Sequence, residues 1–236
     1  MDILIVSATE LEIKPLLGEL QFEKKKSPLL HSYTIGQHKV DVLITGVGMV
    51  ATAYQLGKTL ATETYNFALN LGIAGSFENR YPKKKHKLGE VVNVISDRIA
   101  ELGVVEGEDF TCMSDLGLIH ESDLSFFTEE HRNELCPGCE KIQQSTVLQG
   151  LRKVSGVTVN RLDTGKEEIE AVVRRLKPDV ETMEGAAFLY AAFREFLPSM
   201  QLRAISNYAG ERNKKKWKMD EAVKKLNTVA LQLLEL

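Results

Sequence analysis

The feature that most constrains the fold is Ile3-Leu4-Ile5-Val6, four apolar residues in a row without alternation. A strand with one face in water alternates polar and apolar side chains. A strand without alternation needs cover on both faces, as inner strands of a parallel sheet have. Phe67–Leu71 repeats the pattern, and Glu90–Ile95, Val180–Met183 and Leu202–Ser206 read as further strands. Helix patterns stand between them, at Leu11–Leu20, Val50–Ala61, Glu167–Leu176 and Gly185–Phe196. A last helix opens with Asp220 as its expected N-cap and gathers Val223, Leu226, Ala230, Leu233 and Leu234 on one face. Ser32–Ile35 and Val40–Thr45, joined through Gly36-Gln37-His38, read as a hairpin. Strand–helix alternation with one inserted hairpin predicts a three-layer α/β/α domain around a mixed, mostly parallel sheet.

The 236 residues suffice for one such domain. No repeat, low-complexity linker or boundary divides them, so residues 1–236 are expected to fold as a single unit. Asn79–Lys87 reads as a polar loop, and the weakly periodic, acidic stretch 102–149 as a variable insertion.

Composition excludes several classes of function. Apolar residues make up 43% and charged residues 27%, a balance that supports a packed core and argues against disorder. No apolar run approaches the roughly 18–20 residues of a membrane span, and Met1-Asp2-Ile3 lacks the basic start of a secretory signal. A net charge of -3 leaves no footprint for nucleic acid. Three cysteines cannot all pair within one chain, so reduced thiols and a cytoplasmic location are expected.

Four polar or Gly-rich stretches lie just past strand ends: Ser7–Glu12, Leu71–Gly75, Met183-Glu184 and Ser206-Asn207. Open α/β sheets bind ligands in the crevice outside the carboxyl ends of their strands, where four such segments can converge. Glu184 is the sharpest case. Before Gly185-Ala186-Ala187 it suits a helix N-terminus electrostatically, and it equally suits a fixed acceptor for paired sugar hydroxyls. Gly46-Val47-Gly48-Met49-Val50-Ala51 fits a dinucleotide fingerprint. The next strand, however, ends in Asn70-Leu71-Gly72 rather than in an acid for a ribose, so the glycines are read as packing residues. Cys136-Pro137-Gly138-Cys139 with Cys112, His120 or His131 has zinc-site spacing. Pro-Gly is also a strong turn former on its own, and the expectation is a turn with free thiols and no metal. Lys24–Lys26, Lys83–Lys87 and Lys214–Lys216 read as solvated loops.

Taken in order, Ser7-Ala8-Thr9-Glu10-Leu11-Glu12, Asn70–Gly75, Glu181-Thr182-Met183-Glu184-Gly185-Ala186-Ala187 and Arg203-Ala204-Ile205-Ser206-Asn207 span nearly the whole chain. They resemble the nucleoside phosphorylase/nucleosidase superfamily, in particular its 5′-methylthioadenosine/S-adenosylhomocysteine nucleosidase branch. The resemblance implies an enzyme that cuts a nucleoside's N-glycosidic bond without cofactor and acts as a homodimer or higher homo-oligomer. It implies that Glu12 is the general base for water and that Glu184, with the backbone of Met183, holds the 2′- and 3′-hydroxyls. Ala74 and Gly75 match the turn beneath sugar and base, Arg203 a residue orienting the purine side, and Val159 and Asn160 a segment whose backbone contacts the purine. Val159 stands where the family usually has an aromatic residue. Ser206 belongs to the same binding set, and Asn207 takes the place of the family's catalytic aspartate.

That last change has a chemical consequence. The oxygen of a 6-oxopurine is an acceptor, which an acceptor-only carboxylate would oppose, whereas a carboxamide both donates and accepts. Asn207 is therefore expected to accept from N7–H and donate to O6, which selects hypoxanthine over adenine as leaving group. Hydrolysis is expected over phosphorolysis, because Ser7–Glu12 contains no arginine and its Glu10 and Glu12 repel phosphate. The rival readings are an adenine-releasing nucleosidase and a non-catalytic nucleoside- or zinc-binding module. The residues holding the substrate's 5′ tail are expected within 102–149.

Overall fold

The computed structural model describes residues 1–77, 86–106, 109–113, 115–119 and 140–235. In chain order its elements are β1 (Asp2–Ser7), α1 (Glu10–Leu17), β2 (Gln21–Lys25), β3 (Leu30–Ile35), β4 (His38–Ile44), α2 (Met49–Leu60), β5 (Phe67–Ser76) and β6 (Val91–Ile99). Then follow β7 (Gly103–Glu106), β8 (Asp109–Cys112), α3 (Glu140–Gln143), α4 (Thr146–Gly150), β9 (Arg152–Thr158), α5 (Lys166–Leu176), β10 (Val180–Thr182), α6 (Gly185–Arg194), β11 (Ser199–Tyr208) and α7 (Met219–Leu234).

The unalternating N-terminal run does sit inside the sheet. β1 is flanked by β4 and β5, parallel to both. Its side chains split between two cores. Ile3 and Ile5 pack with Ile13 and Leu16 of α1 and with Leu226, Ala230 and Leu233 of α7. Leu4 and Val6 pack on the other face with Leu56 of α2 and Phe188 and Ala192 of α6. Burial on both faces is why no polar residue interrupts the run. The result is the predicted α/β/α layering.

Nine strands form one mixed sheet in the order β10-β9-β6-β11-β5-β1-β4-β3-β2. The β5–β11, β6–β9 and β9–β10 pairs are also parallel, while β2–β3, β3–β4, β6–β11 and β5–β10 are antiparallel. Because β10 pairs with both β9 and β5, one end of the sheet closes into a ring of five strands. The layered reading did not include that closure.

Local departures have simple causes. β2 went unread because all five of its residues are exposed, which leaves no apolar alternation. Lys24 and Lys25 lie in it, and Lys26 pairs with Asp41 at 2.6 Å and Glu63 at 2.5 Å, so this basic run is not a solvated loop. α1 stops at Leu17, with Gly18 as C-cap. Lys218, not Asp220, is the N-cap residue of α7; Asp220 and Glu221 lie in its first turn, where the helix dipole favours them. Within 102–149 the described residues form the β7–β8 hairpin and two short helices. Among the described residues no helix is long and apolar enough to cross a membrane.

Candidate active site

β1, β5 and β11 are parallel neighbours, so their carboxyl ends meet at one edge of the sheet. A cavity of about 740 Å³ opens there. Its lining includes Thr9 and Glu12 after β1, Ile73–Gly75 at the end of β5, Met183 and Glu184 after β10, and Ser206 and Asn207 on β11. All four stretches singled out from the sequence thus reach one cavity.

Glu12 is buried in the first turn of α1. Its Oε2 accepts from the Thr9 N–H at 3.0 Å and the Thr9 hydroxyl at 2.8 Å, and its Oε1 accepts from the Ile73 N–H at 3.1 Å. Helix start and β5 turn therefore fix one carboxylate together. The buried Asn227 of α7 holds the turn from behind, donating to the Glu12 carbonyl at 2.8 Å and accepting from the Leu16 N–H at 2.9 Å.

Glu184 occupies the N-cap position of α6, yet its side chain does not cap that helix. Oε1 accepts from the Gly48 N–H at 3.0 Å. Gly48 has φ +99°, a conformation that glycine adopts without strain. The glycine-rich fingerprint thus has a job here other than cradling a dinucleotide: its backbone orients a carboxylate. Burial raises the pKa of Glu184; the nearby Arg203 charge and the Gly48 N–H pull it down, and the Glu12 charge adds to the rise.

Arg203, expected to orient the purine side, does not reach the cavity surface. It is fully buried and absent from the cavity lining. Its Nη1 lies 3.8 Å from Glu184 Oε2, its Nε donates to Gln201 at 2.9 Å and its Nη2 to Asn70. Gln201 in turn donates to the fully buried Asp97 at 3.2 Å, and Thr158 donates to Asp97 at 2.8 Å. Asn70 donates to the Val6 carbonyl at 2.9 Å. The guanidinium is the hub of a buried network that reaches the cavity through Glu184. Gly72 leaves the room: a Cβ there would stand 2.0 Å from Nη1.

Val159 and Asn160 also stay outside the lining. Val159 is buried against α5, and its N–H donates to the Thr182 carbonyl at 2.9 Å. The exposed Asn160 gives its N–H to Glu101 at 3.1 Å. The N–H groups of both residues are thus bonded within the protein.

Asn207 does face the cavity. Its Oδ1 accepts from the Ser206 hydroxyl at 2.7 Å, and its Nδ2 donates to the Tyr208 carbonyl at 3.0 Å. This fixes the plane and sense of the amide and leaves one acceptor lone pair and one N–H for a ligand.

Two features of the cavity escaped the sequence reading. One is its apolar wall of Leu11, Pro15, Val47, Leu162, Trp217, Met219 and Val223, with Lys14 and Lys224 among them. None of the described residues of 102–149 lines the cavity; Leu11 and Pro15 come from α1, Met219 and Val223 from α7, and Val47, Leu162 and Trp217 from connecting segments. The signal was the 3–4 spacing of Leu11 and Pro15 and of Met219 and Val223, which puts each pair on one helix face. The other feature is Glu181, a buried acid in the three-residue strand β10. A charge inside so short a buried strand was its signal.

Burial, reinforced by the charge of Asp163, raises the Glu181 pKa from 4.5 to about 7. The folded state holds that proton more tightly than the unfolded chain. Its contribution is therefore full below pH 4.5 and is lost as the pH rises through about 7. Glu181→Gln removes the titration. In urea unfolding the variant is expected to be more stable than the parent by about 2–3 kcal/mol at pH 8 and equal to it near pH 4. A constant difference across that range contradicts the assignment.

Cys136, Cys139, His120 and His131 lie outside the described residues. Among the described residues no group of three or more His, Cys, Asp or Glu is placed to hold a metal ion.

The chain belongs to the phosphorylase superfamily, whose family model matches residues 2–235. It is 33% identical over 194 residues to the futalosine hydrolase of Thermus thermophilus, covering 81% of this chain and 80% of that one. This places it in the futalosine hydrolase family, among the glycosyl hydrolases of the superfamily. The structure of futalosine hydrolase from Helicobacter pylori superposes with a TM-score of 0.73 at 17% identity, covering 100% of this chain and 97% of that one. The 5′-methylthioadenosine/S-adenosylhomocysteine nucleosidase of S. pneumoniae, solved with a transition-state inhibitor, gives 0.71 at 22% identity, covering 100% and 99%. At these identities the two structures speak for the fold.

Proposed function

We propose that the chain hydrolyses the N-glycosidic bond of futalosine and releases hypoxanthine, a step of menaquinone biosynthesis by the futalosine route. The observation that carries this reading is the carboxamide of Asn207, pinned by Ser206 and Tyr208 and facing the cavity that Glu12 and Glu184 also line. Among 6-substituted purines, its free lone pair and N–H suit N7–H and O6 of a 6-oxopurine.

The chemistry follows from the three side chains. Glu184, held by the Gly48 N–H and backed by Arg203, binds the 2′- and 3′-hydroxyls and fixes the sugar. Cleavage passes through a ribosyl cation-like state, as in other glycoside hydrolyses. Glu12 keeps an uncommitted lone pair on Oε1 and takes a proton from the water that attacks the anomeric carbon. Asn207 has no acidic proton, so N7 is protonated from water in the cavity, and the amide stabilises the N7–H product. The apolar wall takes the 5′ tail. Glu10 and Glu12 disfavour phosphate as the nucleophile.

Incubation with futalosine, inosine and methylthioadenosine, followed by free-base analysis, tests the reading. Hypoxanthine from futalosine supports it; adenine from methylthioadenosine with no hypoxanthine from futalosine overturns it. Asn207→Asp is expected to lower the ratio of 6-oxo to 6-amino turnover by about 100-fold, the scale for a mispaired buried polar group. Unchanged selectivity would remove the donor–acceptor argument.

The same reading includes a cytoplasmic homodimer or larger homo-oligomer. Leu11, Val47, Val50 and Tyr54 are 75%, 59%, 83% and 63% exposed, and the first two also line the cavity. An exposed apolar cluster of this kind suits contact between subunits. Sedimentation equilibrium at micromolar concentration reads the state directly.

A further inference from the structure

Asp97 of β6 is a fully buried acid that stands outside the cavity lining, and the chemistry above gives it no part. Two routes nonetheless tie it to Glu184. One runs through side chains of β11. Glu184 Oε2 lies 3.8 Å from Arg203 Nη1, Arg203 Nε donates to Gln201 Oε1 at 2.9 Å, and Gln201 Nε2 donates to Asp97 Oδ2 at 3.2 Å. The other runs through the start of α6. The N–H of Ala186, two residues past Glu184, donates to the Thr158 hydroxyl at 2.7 Å, and that hydroxyl donates to Asp97 Oδ1 at 2.8 Å. The N–H of Gly185 donates to the Thr182 hydroxyl at 3.2 Å, which stands 3.1 Å from that of Thr158. Together the routes close a ring that leaves Glu184 by its carboxylate and returns to it by its backbone. A bare residue at 185 makes the ring possible: a Cβ there would stand 2.1 Å from Asp97 Oδ2 and 2.4 Å from Gln201 Oε1.

The ring runs in one direction. A guanidinium only donates, so Gln201 must turn its oxygen to Arg203 and its NH2 to Asp97. A backbone N–H only donates as well, so Thr182 accepts from Gly185 and passes its own proton to Thr158. Thr158, accepting from Ala186 and Thr182, has its one proton left for Asp97. Both oxygens of residue 97 must therefore accept. A carboxamide or a protonated acid brings a donor to one of them; an ionised carboxylate does not. Burial raises the Asp97 pKa from 3.8 to about 6, and the Thr158 and Gln201 bonds and the Arg203 charge keep it from rising further.

We infer that Asp97 is a positioning residue for Glu184: as a carboxylate it draws the donors of both routes toward itself and so fixes the direction in which the sugar-binding acid points. This rests on the reading that Glu184 holds the 2′- and 3′-hydroxyls. An amide at 97 would set donor against donor, at Gln201 or at Thr158, and the ring would give way at that link.

The test exchanges the two groups. Asp97→Asn alone breaks the match. Asp97→Asn combined with Gln201→Glu restores it: the carboxylate at 201 accepts from Arg203 and from the amide at 97, whose oxygen still accepts from Thr158. Net charge and side-chain volumes stay the same. The readout is inhibition of futalosine cleavage by inosine and by 2′-deoxyinosine, which differ in one of the hydroxyls assigned to Glu184. The parent is expected to bind inosine about 30-fold more tightly, the scale of one charge-assisted hydrogen bond. Asp97→Asn should shrink that preference to less than about fivefold, and the exchange variant should return it to within about threefold of the parent. A merely structural role would weaken both nucleosides alike and leave the preference unmoved. An Asp97→Asn protein that keeps the parent's preference overturns the inference, and so does an exchange variant no better than the single one. If Asp97→Asn does not fold or turn over, the exchange variant decides: activity with the parent's preference supports the ring, and its failure overturns it. A parent that leaves futalosine intact, or that binds the two nucleosides equally, defeats the reading of Glu184 and the inference with it; unmoved preference in the variants alone leaves that reading standing.

Discussion

Glu12→Gln is expected to lower kcat on futalosine by about a thousandfold or more, within the range that general-base catalysis supplies, while hypoxanthine binds within about threefold of its parent affinity. The reason lies in what already surrounds the carboxylate. Thr9 and Ile73 point donors at both oxygens. A glutamine must turn its NH2 toward one of those donors, and it can no longer take a proton from water. Two losses follow: the base, and at least one hydrogen bond, to Thr9 at the start of α1 or to Ile73 of β5, which costs about 1–3 kcal/mol of stability. Single-turnover assay and base binding, measured together, separate them. Surviving turnover would show that some other group activates the water.

Arg203→Met is expected to be the most damaging substitution for the fold. A fully buried guanidinium disappears, and Glu184, Gln201 and Asn70 each lose a partner. Asp97 is affected at one remove, through Gln201. Breaking a buried charge network from one side costs about 3–5 kcal/mol, or about 10 °C in melting temperature for a chain of this size. Arg203→Lys should recover little, since a single ammonium cannot reach Glu184, Gln201 and Asn70 from one position. A melting temperature within a degree or two of the parent would mean that the network is dispensable. Glu184 should then also keep its hold on the sugar, read as an unchanged KM.

What was legible in the sequence was whatever one segment decides alone. Ile3–Val6 announces a strand covered on both faces, and Glu12 and Glu184 stand out because motifs surround them. What was illegible depends on partners distant in sequence. Nothing in Gln21–Lys25 reveals that β2 extends the sheet, because an exposed edge strand needs no apolar pattern. Arg203 shares its strand with Asn207, and only the packed structure shows that one is fully buried outside the lining and the other faces the cavity. The surroundings of Glu181 become legible only when β10 is laid against β5, since its cross-strand partner is a glycine 106 residues earlier, 181 against 75. The apolar wall joins residues from both ends of the chain, and no local window contains both.

The ring closure made by β10 also governs how the protein can open. The last residues of β5 are hydrogen-bonded along both flanks, to β10 and to β11, so the floor cannot widen without breaking the sheet. Any breathing that admits a bulky nucleoside must come from the helical side, where α1 and α7 meet. Hydrogen–deuterium exchange should accordingly be slowest at Gly75 and Ser76 and faster around Trp217 and Met219, a stiff base beneath a yielding roof.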